Sequence, residues 1–508
     1  MIGEISVNQR RAVDDDVIIY LQFQDLKTDL ELKSLPANVK KKLDYKIKRL
    51  NFQGKEGQTL ILEEALDNTA IALLGGGKKQ EFNWVKLRDN LANFLRQLNH
   101  LRYRRLSLKL RLFKQENYFE VGKQLALAFY LSNYRFLYFK NEEERKKAHY
   151  WQSLTVLLSL KKDDSQKLKL GFAYGREISR GIFFARDLVN QPASHITPTS
   201  LMEHAFALEK TAPTKIKVEV LDVNECQKLG MGAYLSVGQG SDQPPKFIIL
   251  HYKPSNAVVK HKVCLIGKSL TFDSGGISLK PAAGMEEMKS DMAGGATVLG
   301  IFQVLIANSD YFNHLEVWGI LPACENMPSG KAIKPGDIVT ACNGKTIEVI
   351  NTDAEGRLTL ADALAYAQKS YHPDIIIDLA TLTGACIVAL GKKIAAVFGN
   401  YEKTLRLIEQ IAAEEGESLW PLPLYRPYSK IMKSEIADLK NVSNTNAGGG
   451  AITAALFLAE FVDQTNWLHF DIAGPSYNNA SAEGIMPHGG TGWGIITLLE
   501  FLKRQAEN

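Results

Sequence analysis

Asp353 and Glu355 stand two apart in VINTDAEGRLTLADALAYAQ (Val349 to Gln368), beside Gly356 and Arg357 and ahead of an alanine-rich helical period. In an extended segment, residues two apart point the same way. The two carboxylates would then aim at one point, Gly356 would end the segment, and the helix would begin near Leu358. Converging carboxylates repel unless a proton or a cation lies between them. The same letters also fit a capping box. Thr352-x-x-Glu355 has the form in which hydroxyl and carboxylate close the first turn of a helix, where negative charge is favoured. Gly356 would then lie inside the helix, at a cost of roughly 1 kcal/mol relative to alanine. This stretch alone supports both readings.

A second group of chemically capable residues follows the apolar run KVCLIGK, which ends at Lys268. Asp273 precedes Ser274-Gly275-Gly276, Lys280 comes next, and Asp291 precedes Met292-Ala293-Gly294-Gly295 and an apolar helix. Asp291 also suits a helix N-cap, and both lysines suit an ordinary surface. Ser274 lacks the G-x-S-x-G frame of a nucleophile elbow. Together, Asp273, Asp291, Asp353 and Glu355 can neutralise two divalent cations, and carboxylates are hard ligands suited to Mg, Mn and also Zn. The ten histidines form no H-E-x-x-H and no close pair. Imidazole ligation is therefore not expected, and His195, His469 and His488 read as structural or incidental.

These residues need a frame. The chain has 508 residues, 45% apolar and 23% charged, which is ordinary for a soluble globular protein. Up to about residue 165 it is rich in lysine, arginine and leucine. Strand-like runs there (DVIIYLQF, TLILEE, TAIALLGGG, LSLKLRLF, LTVLLSL) alternate with helical periods (NWVKLRDNLANFLRQL, YFEVGKQLALAFYLSN). KKDDSQKLK (Lys161 to Lys169) reads as a linker. Beyond it, a helical segment GREISRGIFFARDLVN leads into six short apolar runs: IKVEVLDV, KFIILHY, KVCLIGK, LEVWGILP, DIIIDLA and WLHFDIAG. Continuous apolar strands between helices indicate a sheet covered on both faces, with function in the loops at strand ends. The expected class is α/β in two domains. Residues 1–165 form a small N-terminal α/β domain for assembly or regulation. Residues 166–508 form a larger catalytic domain with a mixed sheet.

Five scattered cysteines without a C-x-x-C pair argue against disulfides and thiolate zinc, and suit a reducing compartment. The N-terminus has no apolar signal core and carries three consecutive aspartates. No run of about 18 charge-free apolar residues marks a membrane span. Net charge is only +5. The excess is local, in LRYRRLSLKLRLFK (Leu101 to Lys114), which reads first as a solvated face or a subunit rim and second as a nucleic-acid patch.

LIGKSLTFDSGGISLK together with NTDAEGRLTLADAL resembles the leucyl aminopeptidases, or cytosol aminopeptidases. RDLVNQP, TLTGACIVALG, LPLYRPYSKIMKSEIADLKN, WLHFDIAG and GGTGWGIITLLEFL agree as well. The resemblance is strong over about residues 170 to 505. Two positions depart from the pattern: Ser269 stands where a glycine is expected, and Gly295 where an alanine is expected. The resemblance implies two divalent metal ions per subunit, Mn or Zn. Asp273 and Glu355 would bridge them, Asp353 would complete the tighter site, and Lys268 and Asp291 the more exchangeable one. Lys280 would be a free ammonium facing the reaction. Arg357 would hold a bicarbonate acting as general base. Met288, Thr381 and Gly384 would line the pocket for the substrate's first residue, whose amine would bind the second metal and Asp291.

The expected activity is release of N-terminal residues, leucine and other apolar ones preferred, by a cytoplasmic enzyme assembled as a homohexamer. Two rivals use the same features. Four carboxylates and two metals also serve phosphoester hydrolysis, against which the lysine ligand and NTDAEGRL argue. The second rival is a DNA-binding architectural or regulatory protein with a peptidase-like domain. Residues 101–114 permit this without demanding it, and salt-dependent DNA retention would reveal it.

Overall fold

The computed structural model describes residues 3–8, 15–26, 32, 35–66, 69–101, 103–110, 116–254, 258–443 and 448–507. The chain divides into two compact units, Met1–Ser179 with Ala480–Pro487, and Arg180–Asn479 with His488–Asn508.

The first unit is built on a six-stranded sheet in the order Glu4–Asn8, Ser153–Leu157, Arg105–Lys109, Val17–Gln22, Thr69–Gly75, Thr59–Leu66. All its pairings are parallel except that of Thr59–Leu66 with Thr69–Gly75. The five strands and two helices read from this half are present. The helix Ala37–Arg49 escaped notice because only Val39 and Leu43 are buried along it, while lysines fill its outer face. Of the basic residues between Leu101 and Lys114, Arg102, Arg111 and Lys114 lie outside the described residues, and Arg105 faces Asp16 at 3.9 Å.

Lys161 to Lys169 is not a linker. It opens the long helix Lys162–Asn190, with Asp163 and Asp164 in the first turn, where carboxylates complement the helix dipole. Leu168 is fully buried. A Cβ on Gly171 would lie 2.0 Å from the Phe119 carbonyl oxygen, so this part of the helix packs by backbone approach. The polar composition masked that contact.

The second unit carries a nine-stranded sheet. Its order is Leu419–Pro421, Ala395–Gly399, Asn466–Asp471, Ile375–Ala380, His261–Gly267, Leu315–Asn326, Lys246–Tyr252, Ile216–Leu221, with Ser269–Asp273 also pairing Leu315–Asn326. The four central strands, Asn466–Asp471 through Leu315–Asn326, are parallel. Antiparallel neighbours flank them, so the sheet is mixed. All six runs read as strands are strands. Ala395–Gly399, Leu419–Pro421 and Ser269–Asp273 were not read as such. The last is an extension: His261–Gly267 pairs with Leu315–Ile320, and Ser269–Asp273 continues along the same partner as far as Asn326. Lys268 is the joint between them.

Alternation along His261–Gly267 serves both faces. Cys264 and Ile266 pack in one core with Leu360, Ala363 and Leu364 of the helix Gly356–Tyr371. Gly267 turns the other way, to Gly294 and Gly295 in the helix Ala293–Ala307. A Cβ on Gly294 would lie 2.1 Å from the Leu379 carbonyl oxygen, so this helix begins directly against the ends of the central strands. Met285–Ala307 is apolar and long enough to span a membrane, yet 83% of its apolar window is buried within the protein, as in a core helix.

The two departures from the family pattern meet here. A Cβ on Gly295 would lie 2.2 Å from Ser269 Oγ, which itself donates to the Gly267 carbonyl at 2.8 Å. The serine hydroxyl takes the space an alanine methyl would fill. Gly295→Ala alone should therefore destabilise the protein by roughly 1–3 kcal/mol through overpacking. Adding Ser269→Gly should recover most of that. Thermal unfolding of both single variants and the double variant measures the coupling, and simple additivity would refute it.

Candidate metal centre

Parallel strands gather function at their carboxyl ends, and this sheet does so. Lys268 follows His261–Gly267, Asp273 ends Ser269–Asp273, and Thr381 follows Ile375–Ala380. A cleft of about 530 Å³ opens there. Lys268, Asp273, Lys280, Met288, Asp291, Asp353, Glu355, Arg357, Thr381 and Gly384 all line it. Every site residue singled out from the sequence is thus in one place. A larger cleft of about 830 Å³, lined by His372, Asp374, Tyr401 and Asp463 among others, contains none of them.

Asp353 and Glu355 follow neither the extended nor the capping-box reading. The segment is not extended: Thr352 and Asp353 form a turn, Glu355 is already in right-handed helical conformation, and the helix begins at Gly356 rather than near Leu358. Nor is there a capping box. Thr352 Oγ1 donates to the Gly275 carbonyl at 2.6 Å and accepts from Ser278 N–H at 2.8 Å, and Glu355 makes no side-chain cap bond among the described residues. Gly356 is small because a Cβ there would lie 2.5 Å from Lys268 Cε. The glycine lets the lysine stem pass beneath the helix start. Asp291 is not a side-chain N-cap either. It ends the short 3-10 helix Met285–Ser290, and Met292 occupies the next helix's N-cap position.

Each ammonium meets two carboxylates. Lys268 Nζ lies 2.8 Å from Asp291 Oδ2 and 3.0 Å from Glu355 Oε1, and donates to the Thr381 carbonyl at 3.1 Å. Lys280 Nζ lies 2.7 Å from Asp273 Oδ2 and also contacts Asp353 Oδ1. The Lys268 side chain is 3% exposed and that of Lys280 20%, so only the second reaches toward open space. Thr381 Oγ1 donates to Asp291 Oδ1 at 2.6 Å. Oxygens of Asp273, Asp291 and Glu355 lie within 4.8 Å of one another.

Crowding and burial show in the titration of these groups. Burial, then Asp273, raises the Glu355 carboxyl above its usual range, and burial raises Asp291 as well. Burial pulls Lys268 down, but Asp291, Glu355 and Asp273 outweigh it and hold the ammonium above its ordinary range. Lys280 behaves likewise, with Asp273 the leading carboxylate. Divalent charge held between the acids would act with burial to push Lys268 down, so that it could bind as the neutral amine. Burial lowers Arg357 to about 10.

The donor set fits divalent metal. Glu355 Oε2 is buried without a hydrogen-bond partner among the described residues, and Asp291 Oδ2 and Asp353 Oδ1 meet ammonium groups without a well-aligned hydrogen bond. Arg357 Nη1 donates to the Asn441 carbonyl at 2.6 Å, while its buried Nε has no partner among the described residues. That free edge fits a planar anion.

Supporting residues were missed in the sequence. Asn326 Nδ2 donates to Asp273 Oδ1 (2.8 Å) and to the Thr352 carbonyl (3.1 Å), joining the two acidic loops. Asn441 Oδ1 accepts from Ile350 N–H at 2.8 Å, and its Nδ2 donates to the Asn351 carbonyl at 2.6 Å. Asn441 closes the stretch LPLYRPYSKIMKSEIADLKN, which was the available signal. Asn326 had none beyond its place after an apolar strand. His469 is structural: it is buried, with Nδ1 2.6 Å from Asp378 Oδ1.

Comparison with known proteins agrees with this geometry. The model of the cytosol aminopeptidase family catalytic domain matches residues 183–499, and that of the family's N-terminal domain matches residues 18–143. A protein of Thermosynechococcus vestitus named probable cytosol aminopeptidase is 43% identical over 454 residues, covering 89% of this chain and 88% of that one. The structure of a tomato leucine aminopeptidase mutant superimposes with a TM-score of 0.86 at 34% identity, covering 99% of this chain and 96% of that one. A bottromycin maturation enzyme, BotP, in complex with Mn gives 0.83 at 30% identity, covering 97% and 99%. The chain belongs to the cytosol aminopeptidase family and is a metal-dependent aminopeptidase.

Proposed function

We propose that the enzyme releases leucine and other apolar residues from peptide N-termini, using two divalent cations, Mn or Zn, held by Lys268, Asp273, Asp291, Asp353 and Glu355. The observation that carries this is the gathering of these five side chains and Lys280 in one cleft, with three carboxylates in mutual reach and a buried Glu355 oxygen that has no partner among the described residues. When bound, such cations polarise the scissile carbonyl and bring a shared water toward neutral pKa. The near-complete burial of Lys268 suits a ligand, which must bind as the neutral amine. The partial exposure of Lys280 suits a donor to the oxyanion as it develops. Arg357 would hold a bicarbonate, the proposed general base. Asp291 would orient the free α-amine of the substrate, which an internal peptide bond lacks. Met288, Thr381 and Gly384 would receive the first side chain. The first domain is assigned to assembly or regulation, and the relatives' name supports cytoplasmic residence.

The direct test is hydrolysis of X-Gly dipeptides by metal-stripped protein to which Mn, Zn, Co or Mg is returned. Leu-Gly should be cleaved only after metal is restored, and acetyl-Leu-Gly should resist under all conditions. Cleavage of the acetylated peptide at a comparable rate would overturn the exopeptidase reading.

Variants separate the roles. Asp353→Asn and Glu355→Gln should each abolish turnover and weaken metal retention. Lys280→Ala should lose on the order of a hundredfold in kcat, about 3 kcal/mol, with metal content intact. Lys268→Ala should lose rate together with one metal per subunit. Metal stoichiometry beside kcat decides between them; the opposite pattern would mean the two lysine roles are exchanged.

The proposed assembly is a homohexamer, a dimer of trimers with its active sites facing an interior cavity. It rests on the family resemblance. Sedimentation of the full-length protein should give six protomers, and a monomer at working concentration would refute it.

A further inference from the structure

Two backbone segments, Thr381–Gly384 and Ala473–Ser476, contribute to the lining of the cleft, and one carboxylate holds both from behind. Asp471 ends the strand Asn466–Asp471 and is 1% exposed. Its Oδ1 accepts from Leu382 N–H (3.3 Å) and Thr383 N–H (3.4 Å) on one side, and from Ala473 N–H (3.2 Å) on the other. Its Oδ2 accepts the Thr383 hydroxyl at 2.6 Å. Thr383 Oγ1 in turn accepts from Cys386 N–H at 3.0 Å and caps the helix Gly384–Leu390. Charge-assisted hydrogen bonds of this kind are among the stronger ones, and a buried charge given four donors holds them in one arrangement. Strand pairing alone does not do this: Ala380 is the last residue in register, opposite Asp471, and both segments lie beyond it.

We propose that Asp471 is a positioning residue for substrate specificity, setting the spacing between the two walls that receive the first side chain of the peptide. This rests on the reading of Thr381 and Gly384 as lining of the first-residue pocket. Thr383 is the link through which Asp471 acts, since its hydroxyl ties the carboxylate to the start of the helix Gly384–Leu390. A substrate beginning with glycine has no side chain to place between the walls. One beginning with leucine does. Asp471 should therefore govern the preference between them more than turnover in general.

The test is kcat and KM for Leu-anilide and Gly-anilide with full-length protein loaded with one metal, comparing wild type, Asp471→Ala, Thr383→Val and Thr383→Ser. Asp471→Ala and Thr383→Val should lower the Leu-to-Gly ratio of kcat/KM by about tenfold or more, chiefly through KM for Leu-anilide. Thr383→Ser keeps the hydroxyl and should keep the ratio. Metal content should be unchanged throughout. Equal losses on both substrates, or losses that follow metal content or Tm, would overturn the proposal and leave Asp471 a fold element. If Asp471→Ala does not fold, the Thr383→Val and Thr383→Ser pair decides by the same ratio. Wild-type protein that cleaves neither anilide sinks the catalytic reading and this proposal with it. Wild-type turnover with an unchanged ratio in the variants sinks this proposal alone.

Discussion

Charge taken out of water must be balanced within a few ångströms, or the group changes its protonation state. The cleft obeys this constraint with four carboxylates and two ammonium groups arranged as two clusters: Lys268 against Asp291 and Glu355, and Lys280 against Asp273 and Asp353. Neither cluster is saturated. Burial first, and the neighbouring Asp273 carboxylate after it, displace Glu355 and Asp291 upward, and one buried Glu355 oxygen has no partner among the described residues. A site of this kind favours added positive charge, in keeping with the metal dependence of the family.

The fold brings those charges together through strand ends and close backbone approach. One long strand, Leu315–Asn326, serves two successive partners, and the break between them places Lys268 at the sheet's carboxyl edge. The helix Ala293–Ala307 abuts that edge through Gly294, and the helix Gly356–Tyr371 admits the Lys268 stem through Gly356. In each case the missing Cβ is what allows close approach. Asn326, Thr352 and Asn441 then tie the acidic loops to one another with hydrogen bonds that charge alone would not direct.

Ser269 and Gly295, the two positions that depart from the expected family pattern, share one contact. A larger residue at one position is offset by a smaller one at the other, since only one group fits between strand and helix. Position-by-position comparison with the family pattern sees two departures; the contact makes them one.

What the sequence determined by itself was the inventory: the apolar runs that became the six central and flanking strands, the helices of strong amphipathic period, and the four acids and two lysines of the cleft, while Met288, Thr381, Gly384 and the role of Arg357 came from the family resemblance. Residue type and local spacing carry that information because strands and helices repeat at 2 and 3.6 residues and because few side chains can ligate metal. What it misjudged were boundaries set by contacts distant in the chain. The polar opening of Lys162–Asn190 is continuous with a stretch whose Gly171 and Gly175 lie against the helix Tyr118–Ser132. Asp353 and Glu355 enter the cleft from a turn instead of an extended segment and meet different lysines, with Thr352 bonded to the loop at Gly275 and Ser278. Asp471 and Asn326 could not be singled out at all. Their importance lies in which backbone groups they receive, and that is decided only when strands remote in sequence end at the same edge of the sheet.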